Sequence, residues 1–201
     1  MKGKGYSAKQ IAKWFIDKAT SNISQGGEYL TQLKLQKLLY YAKGFYYVFE
    51  DKPLFDEELK AQRLGPVVQS VGFVVSKYKS DPIKEEFKDV EKITDKDTIE
   101  FLEFIYNNLA VVYAAKKLVD FTHNELPWKE TEEKAKIKDD SIRTYFRTTY
   151  LNNTAEENLP ISQENLALAL SKYYVTKYNK AYKVLAQWKL LLNIFVKLIM
   201  K

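Results

Sequence analysis

The chain has 201 residues, of which 46% are hydrophobic and 29% charged, with a formal net charge of +6 and no cysteine. That length and composition fit one soluble domain, or one domain plus an extension, long enough to bury a sizeable core. The lack of cysteine excludes disulfides and thiolate metal sites and agrees with a reducing, cytoplasmic setting.

The first residues, MKGKGYSAKQIAKWF, lack a long apolar run and a small-residue cleavage site, so no secretory leader is expected. Ser7 caps a first helix with Ala8, Ile11, Phe15 and Ala19 on one face, and the Ser24–Gly27 stretch breaks it. Thr31 caps a second, longer helix. Its apolar positions Leu35, Leu38, Leu39, Ala42, Phe45 and Phe49 recur at three- and four-residue spacing, and Asp51-Lys52-Pro53 ends it. Lys34, Gln36 and Lys37 fall on the polar side of that stripe. They read either as a solvated face or as a recognition surface, with Tyr40 and Tyr41 at its rim.

Leu54 to Leu64 reads as a polar connection with no assigned strand. Gly65-Pro66 reads as the start of a helix carrying Val67, Val68, Val71, Val74 and Val75, because proline is pre-set for a first helical position. A helix N-terminus there also offers exposed amides to an anionic group. Lys79 to Asp97 is a charged surface connection with a turn at Pro82. Asp95 or Asp97 then starts a helix whose Ile99, Leu102, Ile105, Leu109 and Val112 step down one side, closing at Leu118-Val119. Thr122 and Glu125 match a capping box, and Pro127 is a second candidate helix start. Ser141 caps a helix with Ile142, Tyr145, Phe146 and Thr149. Residues 151–161 are the linker, and Ser162 opens a final helical segment that runs to Lys201.

Charge is uneven along this plan. Residues 172–201 hold seven lysines and no carboxylate, so the +7 of the tail against +6 for the chain leaves −1 on the preceding 171 residues. The tail also carries an apolar stripe through Tyr178, Tyr182, Leu185, Trp188, Leu192, Phe195 and Ile199. A stripe that wide marks a contact surface. A helix docked on its own domain or on a protein partner is favoured over a membrane. Only three of the 32 basic residues are arginine, the side chain best suited to reading bases, so nucleic acid is a disfavoured partner.

The chemistry-bearing residues are few. His123 is the sole histidine, with no G-x-S-x-G elbow and no thiol beside it. There is no phosphate-binding G-x-x-x-x-G-K-[ST] and no G-x-G-x-x-G. The expectation is a binding protein rather than an enzyme, with no metal and no cofactor. Trp128, after Pro127, reads as a packing anchor or a partner contact.

Two blocks carry a resemblance. The first runs K-L-Q-K-L-L-Y-Y-A from Lys34, then K-P-L-F from Lys52, then A-x-x-x-G-P-V-V from Ala61. The second is Leu118 to Trp128, L-V-D-F-T-H-N-E-L-P-W, followed by Ile142 and Tyr145-Phe146. In this order they resemble the Panacea domain of SocA-like, phage-associated antitoxins, with Gln62-Arg63 departing from the aromatic residue often found after the alanine. The resemblance covers residues 6–150 and implies a compact multi-helix domain there; with residues 162–201 read from their spacing as a C-terminal helical extension, the expected fold is all-α. The resemblance also implies the antitoxin of a type II toxin–antitoxin system that neutralises a cognate protein toxin by binding it. Two alternatives stay open: an adaptor delivering the toxin to a bacterial protease complex, and a nucleic-acid-binding regulator. Candidate partner-binding residues are Lys34, Gln36, Lys37, Tyr40, Tyr41 and Trp188. Leu35, Leu38, Gly65, Pro66, Thr122, His123 and Trp128 are signature residues with structural roles.

Overall fold

A computed structural model describes residues 5–151 and 158–178. Helix α1 (Ala8–Ser21) begins at a reciprocal cap. The Ser7 hydroxyl accepts from the Gln10 amide at 3.2 Å, and the Gln10 side chain accepts from the Ser7 amide at 2.9 Å. Ala8, Ile11, Phe15 and Ala19 all turn into the core, as their spacing predicts. Helix α2 (Gln32–Glu50) starts at Thr31, whose hydroxyl accepts from the Lys34 amide, and stops where Asp51 turns left-handed at φ 55°.

Helix α2 is the axis of the molecule. From Lys34 to Phe49 every residue is buried, because α1, α4, α5, α7 and a small sheet pack around it. The expectation that one side of this helix meets solvent is therefore corrected. A helix surrounded by other elements has no wet face, and its polar side chains must find partners inside. Lys43 does so with Asp139 at 2.8 Å and the Glu57 carbonyl at 3.1 Å.

The sequence reading is corrected again after α2. Strands β1 (Leu59–Gln62) and β2 (Gly65–Val68) form an antiparallel hairpin in which Ala61 faces Pro66 and Gln62 faces Gly65. Gly65-Pro66 thus opens a strand, and the valine run enters helix α3 (Gln69–Val75) only after Val68. Proline at the head of an outer strand removes a donor that the ladder does not need there. Strand β3 (Lys136–Ile137) pairs with the other side of β1, giving the order β2-β1-β3. The fold is mostly helical, with this three-stranded sheet as its one departure from an all-α reading among the described residues.

Helix α4 (Lys96–Ile105) is capped by Asp95, which accepts from the Thr98 amide at 2.9 Å. It runs into one π-helical turn, Tyr106–Ala110, and breaks at Val111. The stretch read as one helix closing at Leu118-Val119 is therefore two, since α5 (Ala115–Asn124) contains both residues. Glu125 stands ahead of the short helix α6 (Leu126–Lys129), with Pro127 in its first turn. Thr122 caps nothing: its hydroxyl donates back to the Val119 carbonyl at 2.9 Å. Helix α7 (Asp139–Leu151) starts two residues before Ser141.

Helix α8 (Gln163–Tyr178) packs against α4 and the end of α2. The Phe49 and Tyr173 rings meet edge to face at 5.1 Å. The Tyr173 hydroxyl donates to Glu50 at 2.8 Å, and the Tyr174 hydroxyl to the Phe49 carbonyl at 2.6 Å. Lys177 pairs with Glu50 as well. Trp188 and the rest of the stripe beyond Tyr178 lie outside the described residues, as do residues 152–157 of the linker.

Candidate functional site

The outer edge of β2 has no neighbouring strand. Its backbone groups face α2, and two adjacent side chains of that helix take the place of a strand. The Gln36 amide accepts from the Val68 N–H at 2.8 Å and donates to the Val68 carbonyl at 3.3 Å. One residue on, Lys37 donates to the Pro66 carbonyl at 2.9 Å. Both side chains are buried, with Lys37 at 0% exposure. Gly65 makes the approach possible. Its φ of +94° favours glycine, and a Cβ there would overlap the Lys37 side-chain nitrogen and come within 2.6 Å of the Thr122 hydroxyl.

The corner between α5 and α6 closes the cluster from the other side. His123 lies flat on Trp128, ring centroids 4.1 Å apart and planes 16° from parallel. The Trp128 indole N–H donates to the Gln62 carbonyl at 2.9 Å, tying the corner to the hairpin. Glu125, 3% exposed, reaches the other way into α2. It accepts from the Tyr41 hydroxyl at 2.9 Å, and Tyr40 brings its own hydroxyl against the same carboxylate.

Burial sets the electrostatics. It draws Lys37 down to about 7, with Glu125 pulling the other way. It lowers His123, with the nearby Lys37 charge adding to the effect. It raises the Tyr40 and Tyr41 hydroxyls well above their ordinary value, and Glu125 pushes them further. Lys34, at the outer end of α2, is lowered by burial against the opposing pull of Glu28.

Every signature residue except Leu35 and Leu38, which sit in the apolar core, therefore meets in one place. Gln36, Lys37, Tyr40, Tyr41, Gly65, Pro66, Thr122, His123 and Trp128 form a polar clasp between α2, the hairpin and the α5–α6 corner. Reading Gln36, Lys37, Tyr40 and Tyr41 as a surface is corrected: all four are buried by the sheet edge and the corner. Glu125 was missed as a functional residue. The signal was a lone carboxylate in an otherwise apolar turn, Glu125-Leu126-Pro127-Trp128. The hairpin tip, Arg63-Leu64, was also missed; both residues are exposed. Chemically the clasp orders backbone. Its amine and both tyrosine hydroxyls are sealed from solvent, and no group of three His, Cys, Asp or Glu able to hold a metal occurs among the described residues.

Residues 35–129 match the family described as antitoxin SocA-like, Panacea domain. That span runs from the first turns of α2 through α6 and takes in the whole clasp. Over those residues the chain is similar to the Panacea domain of SocA-like antitoxins. No curated protein and no solved structure matches the chain. No described helix is long and apolar enough to cross a membrane.

Proposed function

We propose that this protein is the antitoxin of a type II toxin–antitoxin pair and neutralises a cognate protein toxin by direct, stoichiometric binding. The observation that carries this reading is where the signature residues lie. They are buried, or half-buried in the case of His123 and Trp128, in contacts that fix a hairpin and a helical corner against α2. A reaction centre needs its reactive groups within reach of a substrate, whereas a binding scaffold needs rigid elements beneath its contact surface. The Panacea match supports the same reading.

The test is co-expression with the reading frame adjacent to the gene. That frame alone should arrest growth, co-expression should restore it, and the two products should co-elute in size-exclusion chromatography. A harmless neighbour, or rescue without a complex, would contradict the reading.

A further inference from the structure

We propose that the hairpin tip, Arg63 and Leu64, is the element that enters the partner, and that it fits an apolar depression rimmed by carboxylates on a protein surface. This rests on the reading of the protein as one that binds its toxin directly.

Three observations point to the tip. The first is exposure: Leu64 is 43% exposed at the end of a hairpin whose flanking residues are buried or half-buried. Leu126, 51% exposed, opens the turn that carries Trp128 and so widens the apolar area on the corner to which the hairpin is tied. The second is charge. Arg143 and Arg147 are both committed to Asp51, at 2.8 and 3.2 Å. Arg63 is the one arginine in no ion pair among the described residues, and Lys129 beside Trp128 is likewise unpaired there. A cation next to an apolar side chain is complemented by a carboxylate at the edge of an apolar pocket, and arginine is among the residues enriched at the centres of interfaces.

The third is rigidity. The tip is two residues long, yet both strands behind it are held by side chains from elsewhere. Trp128 holds Gln62, Lys37 holds Pro66, and Gln36 holds Val68. A loop fixed in its bound shape loses little entropy on docking, which is how a small contact binds tightly. Phe73 on α3 is more exposed still, at 85%, but has no comparable set of fixed neighbours and serves as the control.

The experiment is calorimetric titration of the purified full chain with the purified product of the adjacent reading frame. Arg63→Glu and Leu64→Asp should each weaken binding by about tenfold or more, as interface anchors do, with unchanged circular dichroism. Arg63→Ala and Leu64→Ala, which disturb the turn least, should weaken it in the same order. Phe73→Ser should stay within about twofold of wild type, as a residue outside the contact. Wild-type affinity in all four tip variants would overturn this inference and leave the proposed function standing. Loss of binding only in Phe73→Ser would move the contact to α3 and overturn it too. A wild-type chain that does not bind would remove the proposed function and the inference with it.

Discussion

The side-chain amide of Gln36 meets both backbone groups of Val68, at 2.8 and 3.3 Å, so a helix side chain does the work of the next strand in the sheet. Gln36→Ala leaves a buried N–H and a buried carbonyl without that partner. An orphaned buried group costs about 1–3 kcal/mol. The urea midpoint should fall by a matching amount, with little change in the slope of the transition. A surface residue at this position would give almost no change.

Gly65 predicts a contrast with Gly26. Both have positive φ, +94° and +82°, but nothing lies within 4 Å of where a Cβ on Gly26 would sit, whereas one on Gly65 would strike Lys37 and Thr122. Gly26→Ala should cost about 1 kcal/mol, the backbone strain alone. Gly65→Ala adds the steric clash and should cost about 3 kcal/mol or more. Thermal unfolding of the two variants checks the difference, and equal costs would show that the Lys37 nitrogen has room to move aside.

Lys37 predicts a rise in stability on the alkaline side. Its folded pKa of about 7 lies below the ordinary 10.5. Between those values the unfolded chain holds a proton that the folded chain does not, so raising the pH favours the fold, by up to about 1.4 kcal/mol per unit. Below about 7 both forms are charged and the full penalty of burial is present. Above about 10 the buried tyrosines act in the opposite sense: their raised pKa keeps the proton on the folded chain, and stability falls again. Chemical denaturation across pH 7 to 10 should therefore show an upward slope in the wild type and a clearly shallower one in Lys37→Met, where the lowered Lys34 still contributes.

Leu166 predicts how α8 belongs to the rest. It is 1% exposed and shares one apolar core with α2 and α4. Leu166→Ala should lower the single thermal transition of the whole protein, with a cost of about 2–4 kcal/mol. Two transitions, the larger one unmoved, would make the segment after residue 161 an independent unit.

Most helices were legible because their periodicity and caps are local signals. Ser7, Thr31 and Asp95 cap where the sequence places them, and the stripes of α1 and α2 point inward. What failed was non-local. Gln36 and Lys37 look like a wet face until the hairpin edge and the α5–α6 corner are laid against them, and no helical period encodes that approach. Gly65-Pro66 is as good a helix start as a strand start by local chemistry. The choice is made by Lys37 and by the pairing with Ala61 and Gln62 across the turn. The candidate site was half visible: its residues stand in two quotable blocks, but their burial and the exposed Arg63-Leu64 tip emerge only when the blocks meet.

The most direct test of the account is a stoichiometric titration of toxic activity. Purified product of the adjacent reading frame, held at fixed concentration in whichever assay reports its toxicity, is mixed with increasing amounts of this protein. Neutralisation by binding predicts a linear loss of activity that ends at a fixed molar ratio and reverses on separating the two chains. Complete, irreversible loss at a small fraction of that ratio would mean that one molecule disarms many, and would contradict a binding role for the clasp and the tip it holds.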